Sequence, residues 1–177
     1  EVVARKEVYE VSDEEWAVVL QCLNSAVDEL LMFRKQEGEA LSKKFFDKIS
    51  NISSLLASVE PYEKERVEKI RGRIKDALDK TLGVDYDNNR FEQELIFYIE
   101  KLDINEEKQR LSNHLSYFLS TMEDGMGQGK KLGFIAQEMG REINTLGSKA
   151  NDADIQRLVV KMKDELEKIK EQLFNIL

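Results

Sequence analysis

The residue types best suited to chemistry are concentrated between residues 129 and 149, where the sequence reads GKKLGFIAQEMGREINTLGSK. On a helix, Glu138 and Glu142 stand four residues apart and share one face, with Arg141 beside them. Two like charges at this spacing repel by a few tenths of a kcal/mol unless a cation compensates them. Either Arg141 and a neighbouring lysine supply that cation, or a divalent metal ion does.

His114 is the only histidine in the chain. It follows Glu107 by seven residues and Arg110 by four, so on a helix the three side chains share one side. An imidazole beside a carboxylate and a guanidinium is suited to act as a metal ligand, a general base or a general acid. The competing interpretation is a hydrogen-bonded structural histidine, and the spacing alone leaves both open.

The basic residues of the C-terminal third are candidates for binding phosphate. Arg110 and Arg141 present planar forks that suit either a phosphate or a carboxylate, and Lys130, Lys131 and Lys149 suit contacts to a phosphate backbone. The formal charge of the chain is −8, but residues 125–177 carry nine Lys/Arg against eight Asp/Glu. A phosphate-binding surface is therefore expected in the C-terminal third, although surface lysines also occur without such a role.

Composition favours a soluble helical protein. Of the 177 residues, 41% are apolar and 35% charged, with a single proline, a balance typical of long helices. No run approaches the roughly 20 apolar residues of a membrane span and no leader pattern is present, so a cytoplasmic protein without membrane contact is expected. Cys22 is the only cysteine, which excludes an intrachain disulfide, and its apolar neighbours predict a buried thiol.

Apolar periodicity and capping signals predict the elements that position these residues. Ser12 and Glu15 form a capping-box pattern that begins a helix reaching about residue 58, with Gly38 as a candidate kink, and a second helix is predicted over 62–82. A loop at 83–89 precedes further helices. The glycine-rich connector 123–129 is long enough to fold a helix at 130–147 back antiparallel to one at 106–122. Asn151 is the predicted N-cap of a last helix. Its apolar seam is spaced for pairing with another helix and consists of Ile155, Leu158, Val159, Met162, Leu166, Ile169 and Leu173.

The predicted fold class is all-α, with long antiparallel helices forming a helical bundle or extended helical hairpins and a short strand-like remnant at the N-terminus. Three regions are expected: a remnant of an upstream domain or linker at 1–11, a long helical region at 12–89, and a helical domain at 90–177 that carries the candidate site. The beginning of the chain, which is not a methionine, suggests a fragment of a longer protein.

Two blocks carry a resemblance to a known family. DINEEKQRLSNH at 103–114 and GKKLGFIAQEMGREINTLGSKANDADI at 129–155, continued by KDELEKIKEQLFNIL at 163–177, resemble the C-terminal domain of the YicC-like endoribonuclease family. The resemblance implies a helical region that follows an N-terminal domain, metal-dependent RNA cleavage, and a hexamer around an RNA-accommodating cavity. Gly133 and Gly140 depart from it, because the family usually has Asp and Asn there; Gly140 is expected to remove a polar group beside the site.

With that resemblance, the chain is expected to be a metal-dependent endoribonuclease acting on RNA, with no DNA substrate. The expected catalytic residues are His114, Glu138, Arg141 and Glu142. The expected phosphate-binding residues are Arg110, Lys130, Lys131, Asn144 and Lys149. The expected ligands of Mn²⁺ or Mg²⁺ are Glu107, Glu138 and Glu142. A homo-oligomer, up to a hexamer, is also expected. The alternative is a non-catalytic helical module for oligomerisation or RNA binding.

Overall fold

The structure, a computed structural model, describes residues 11–82, 88–125 and 127–174, and every regular element within them is a helix. In chain order the helices are α1 (Asp13–Ala57), α2 (Glu60–Leu82), α3 (Asn88–Lys101), α4 (Asn105–Glu123), α5 (Gly129–Ala150) and α6 (Ala153–Leu173). The predicted all-α class is confirmed for these residues. The strand-like remnant predicted at 1–11 lies outside the described residues except for Val11, and so does the predicted loop up to residue 87.

The start of α1 follows the predicted capping box. The backbone N–H of Ser12 donates to the Glu15 carboxylate at 3.0 Å, and the backbone N–H of Glu15 donates to the Ser12 hydroxyl at 3.2 Å. Each side chain thereby satisfies a backbone donor that the first turn of a helix leaves without a partner. The helix then includes Gly38 and ends at Ala57, close to the predicted boundary.

Residues 1–42 form one of two compact units, and in its described part residues 11–40 are all exposed. The exposed side chains include Trp16, Leu20, Leu23, Val27 and Leu30. Their alternating spacings of four and three place them along one side of α1. Cys22 is exposed as well, so the prediction of a buried thiol is wrong. The apolar neighbours that suggested burial are themselves uncovered within this unit.

The same part of the chain contains an apolar window of membrane-spanning length. Within the helical stretch Asp13–Ala77, an 18-residue window has a mean hydropathy of 1.3, and none of it is buried. By length and composition alone this stretch meets a criterion for a helix that crosses a membrane, which the composition-based expectation did not anticipate. Core helices of soluble proteins meet the same criterion.

The second unit, Lys43–Leu177, is built around an apolar core in which α5 packs against both α4 and α6. The seam predicted for α6 is confirmed by the burial of Ile155, Val159, Met162, Leu166 and Ile169. Facing positions on α4 and α5 supply Leu111, Leu115, Phe118, Ile135, Met139, Ile143 and Leu146. The end of α1 adds Phe45, whose ring meets that of Phe118 edge to face at a centroid distance of 5.7 Å.

One carboxylate ties the end of α1 to α6. Asn51 donates to Glu165 Oε2 at 3.0 Å, Lys48 Nζ lies 3.0 Å from the same oxygen, and Lys168 Nζ lies 2.6 Å from Oε1. The hydrogen bond from Asn51, followed by that from Lys168, lowers the pKa of Glu165 to about 2. These partners stabilise the ionised form, so the contact of Glu165 with α1 is strongest while its carboxylate is charged.

The ends of α5 explain how it is placed between its neighbours. Gly125 and Gly127 have φ values of 96° and 80°, which the connector from α4 requires and which only glycine adopts without strain. At the other end, Asn151 takes the left-handed conformation with φ 44°, and Asp152 accepts hydrogen bonds from the backbone of Asp154 and Ile155. The predicted cap at Asn151 is therefore wrong: Asn151 ends α5, and Asp152 begins α6.

Candidate functional site

The candidate site lies along the seam between α4 and α5. Glu142 Oε1 is 4.0 Å from Arg110 Nη1, and Lys131 Nζ lies 4.9 Å from the centre of the Tyr117 ring. These contacts fix which sides of the two helices face each other, and helical spacing adds the remaining members. We define the α4/α5 face as Arg110, His114 and Tyr117 on α4 with Lys131, Phe134, Glu138, Glu142 and Lys149 on α5.

Glu142 is the most enclosed carboxylate of α5, with its side chain 11% exposed beside Arg110. Arg110 is itself shared, because it also forms an ion pair with Glu106 one turn earlier on α4. A carboxylate that is mostly removed from water needs a compensating positive charge. In this chain Arg110 supplies that positive charge. Its Nη1 is 4.0 Å from Glu142 Oε1, so a cation that came closer would form a stronger contact.

Glu138 stands one turn before Glu142 on α5 and is bound by Arg141, whose Nη1 lies 2.7 Å from Glu138 Oε1. The pair is open to solvent, with the two side chains 39% and 72% exposed. Exposed pairs of this kind contribute less than about 1 kcal/mol to stability. The sequence left open whether Arg141 or a metal ion compensates the charge of these carboxylates. At Glu138 it is Arg141, and the contact is weak enough for another ligand to replace it.

Glu107 occupies the far end of the seam. Lys149 Nζ lies 2.7 Å from Glu107 Oε1, while Glu107 Oε2 is buried and has no hydrogen-bond donor among the described residues. Its partner Lys149 is eleven residues from Glu138 along α5, which corresponds to about 16 Å of helix. Glu107 and Glu138, both predicted as metal ligands, are therefore at separate levels of the seam.

The described residues contain no group of three or more His, Cys, Asp or Glu side chains arranged to hold a metal ion. Glu138 and Glu142 remain as a pair of oxygen donors on successive turns of α5. Mg²⁺ and similar hard ions are commonly held by one or two carboxylates, with waters and substrate phosphates in the other positions. Glu138 and Glu142 alone would supply two of the oxygen ligands of such an ion and would leave its other positions to water or to another ligand.

His114 is half-buried between Arg110 and Tyr117 on the α4 side of the face. In the described part of the chain, no hydrogen bond or ion pair joins it to Glu138 or Glu142. Helical spacing puts His114 on the same face as both glutamates, and its joint action with them stays a prediction.

The predicted phosphate-binding residues divide into paired and unpaired side chains. Arg110, Lys131 and Lys149 each contact an acidic residue, and Tyr117 and then Asp124 raise the pKa of Lys131 above its ordinary value. Lys130 and Asn144 are exposed, and neither forms an ion pair or side-chain hydrogen bond within the described ranges. Both side chains are therefore accessible to a ligand.

The glycine at position 140 does not border the site, so that expectation is wrong. A Cβ added to Gly140 would lie 3.4 Å from Leu166 Cδ2 and 3.7 Å from Lys170 Nζ, both on α6. Position 140 is on the side of α5 opposite the α4/α5 face, because it is two residues from both Glu138 and Glu142. A Cβ at Gly133 would meet open space.

Sequence reasoning missed Arg66, a buried cation on α2. Its guanidinium donates to the backbone carbonyls of Ala150 at 3.0 Å, Lys149 at 3.4 Å and Leu102 at 2.9 Å. These carbonyls end α5 and follow α3, where helices leave acceptors without partners. Arg66 thereby fixes the backbone that carries Lys149. Nothing in the charged sequence of α2 distinguishes this arginine from its solvated neighbours.

Comparison with known proteins places this site inside a matched segment. Residues 59–177 match the family described as "Endoribonuclease YicC-like, C-terminal". A protein of Clostridioides difficile (strain 630) named "Probable endoribonuclease YicC" is 34% identical over 180 residues, which cover 99% of this chain and 61% of that protein. The protein of the same name from Haemophilus influenzae is 31% identical, over 96% of this chain and 60% of its own length. The chain thus spans about three fifths of each relative.

Proposed function

Because the chain belongs to the YicC-like endoribonuclease family, we propose that it is part of an endoribonuclease and that the α4/α5 face binds the RNA strand that is cut. The observation that carries the proposal is the contact between Glu142 and Arg110 across α5 and α4, inside the matched segment. Helical spacing adds Glu138, to which Arg141 is bound, and His114 to the same face. Cleavage of a phosphodiester requires stabilised phosphate charge and a group that moves a proton. This set of side chains provides both.

The arginines and lysines bind and orient the phosphates. Arg110 and Arg141 hold carboxylates in the free chain, and each can transfer its planar fork to a phosphate. Lys130, Lys131, Asn144 and Lys149 extend the contacts along α5 without reading base edges. We infer from the seam contacts that α4 and α5 run antiparallel, so Arg110, Lys131 and Lys149 follow one strip. Asn144, two residues beyond Glu142, lies toward the other side of α5.

We propose further that Glu138 and Glu142 hold Mn²⁺ or Mg²⁺ when RNA is bound. Such an ion supplies Lewis-acid polarisation of a phosphate oxygen and a bound water of lowered pKa. Glu142 presents a largely desolvated carboxylate, and Glu138 a more accessible one. Glu107, bound to Lys149, is assigned to positioning that lysine at the far end of the face.

His114 is the proposed proton carrier. Its position between Arg110 and Tyr117 puts the imidazole next to a residue that binds phosphate. From there it acts either as the base for the ribose 2′-hydroxyl or as the acid for the leaving oxygen. The two routes leave different ends on the product, which makes them separable.

The test is incubation of the purified protein with end-labelled RNA, in Mn²⁺ and separately in chelator. We expect internal cleavage that requires the ion. A 2′,3′-cyclic phosphate on the products assigns attack to the 2′-hydroxyl, whereas a 5′-phosphate assigns it to water. Intact RNA at every ion concentration would reject the enzymatic proposal.

A second candidate function, a homo-oligomeric assembly module, is favoured by the uncovered apolar side of α1. Trp16, Leu20, Leu23, Val27 and Leu30 are between 44% and 58% exposed, and their four-three spacing suits a partner helix. We propose that copies of the chain associate through it, up to a hexamer. Assembly and RNA cleavage are compatible with each other. If the protein assembles but does not cleave RNA, assembly is the proposed function of the chain.

A further inference from the structure

Two aromatic rings on the α4/α5 face are exposed. The side chains of Tyr117 and Phe134 are 48% and 57% exposed, whereas Phe45 and Phe118 in the adjoining core are 3% and 0% exposed. Other aromatic rings of the described residues are exposed as well, Phe46 and Phe97 among them. Tyr117 and Phe134 differ from these because they stand beside a candidate catalytic site and a cation, where a ligand can cover them.

The rings lie among the residues proposed to act on phosphate. Phe134 follows Lys131 by three residues and precedes Glu138 by four, so the three side chains share one side of α5. Tyr117 lies under Lys131, with the ammonium 4.9 Å from its ring centre. Along the seam, the ring of Tyr117 and the ammonium of Lys131 therefore come first. The ring of Phe134 follows, and then the carboxylates of Glu138 and Glu142.

We propose that Tyr117 and Phe134 stack on unpaired bases of the RNA strand next to the cut phosphodiester, so that the α4/α5 face selects single-stranded RNA. This inference rests on the proposed function. Aromatic side chains beside cations are the usual platform for single strands, because every base offers a flat face and every phosphate a negative charge. The bases of a duplex are stacked on each other and cannot lie on these rings.

The chemistry around the rings favours RNA over a second copy of the chain. The centres of protein interfaces are depleted of Lys, Glu and Asp. Phe134 instead stands between Lys130 and Lys131 on one side and Glu138 with Arg141 on the other, and Lys130 is exposed. The apolar side of α1, in contrast, carries aliphatic and aromatic residues throughout its length, as a protein contact requires.

The experiment compares binding of a short oligoadenylate with binding of an abasic ribose-phosphate oligomer of the same length and charge. Phe134→Leu and Tyr117→Leu keep an apolar side chain and remove the aromatic face. Each is expected to weaken binding of oligoadenylate roughly tenfold while changing that of the abasic oligomer less than about twofold. Phe134→Tyr, which retains a ring, should bind like the unmodified protein. Phe97→Leu on α3, at a residue 65% exposed and outside the face, is the matched control.

The outcomes separate this inference from the proposed function. If the unmodified protein binds and cleaves oligoadenylate but the leucine variants bind it as tightly, stacking is rejected and the enzyme assignment stands. Equal weakening for both oligomers, or a change in oligomeric state measured by light scattering, also rejects stacking and assigns the rings to the fold or to a contact between copies. If the unmodified protein binds no RNA, both proposals fail.

Discussion

At the scale of single residues, the carboxylates of α5 differ in what surrounds them, and the roles proposed for them follow that difference. Glu142 is largely enclosed and meets Arg110 only at 4.0 Å, whereas Glu138 is open to water and directly paired with Arg141. An enclosed anion with a distant cation is the stronger candidate for an incoming divalent ion. Glu142 is therefore the residue on which the proposed chemistry most depends.

Replacing Glu142 by glutamine keeps the size of the side chain and removes the anion. We expect metal-dependent RNA cleavage to fall by at least about a hundredfold with little change in melting temperature. The matched control is Glu63→Gln, because Glu63 is also mostly buried and is paired with a basic residue, Lys108, outside the α4/α5 face. Cleavage at the unmodified rate in Glu142→Gln across a Mn²⁺ titration would contradict the assignment.

At the scale of helices, two glycines of α5 face α6 with different amounts of room. A Cβ at Gly140 would make an ordinary contact with Leu166 at 3.4 Å, while a Cβ at Gly147 would come within 3.0 Å of Val159 Cγ1. Alanine is favoured over glycine inside a helix by about 0.5–1 kcal/mol. Close packing at position 147 opposes that gain.

We therefore expect Gly140→Ala to raise the free energy of unfolding by about 0.5–1 kcal/mol. Gly147→Ala should lower it by about 1–2 kcal/mol, since crowding against Val159 costs more than the helix gains. Adding Val159→Ala to Gly147→Ala tests the cause: chemical denaturation should show that the double variant loses less stability than the two single variants together, because the smaller side chain at 159 relieves the crowding. Independent, additive effects would place the defect elsewhere.

Glu165 gives the contact between α1 and α6 a dependence on pH. Its folded pKa of about 2 lies below the ordinary value of 4.5, so its contribution is fully present above about pH 4.5 and is lost as the pH falls toward 2. Because Lys48 is partly exposed and screened, the contribution is on the order of 2 kcal/mol. Glu165→Gln should lose that amount at pH 7 and should show a smaller loss of stability between pH 4.5 and 2. Equal pH slopes in both proteins would refute the linkage.

At the scale of the whole molecule, the assembly proposal depends on the uncovered side of α1. Replacing Leu23 by glutamate puts a charge in the centre of this side, while Ser25→Glu puts the same charge on the opposite side of the helix. We expect Leu23→Glu to reduce the molar mass measured by light scattering and Ser25→Glu to leave it unchanged. A monomer in the unmodified protein at tens of micromolar would contradict the assembly proposal.

The sequence by itself determined the elements and their apolar sides, because helical period and capping are local properties of the chain. The capping box at Ser12, the α6 seam and the glycines of the connector all follow from residues only a few positions apart. The charged residue types of the site were likewise evident, and the resemblance to the family was carried by short blocks within α4, α5 and α6.

Only the tertiary structure decided which charges meet. Arg110 with Glu142, Lys149 with Glu107 and Arg66 with the end of α5 join residues between 32 and 84 positions apart, a separation at which no local pattern acts. The same holds for exposure: Cys22 and its leucine neighbours have the spacing of a core, yet burial depends on whether another surface covers them. Spacing defines a side of a helix, and packing alone determines what that side contacts.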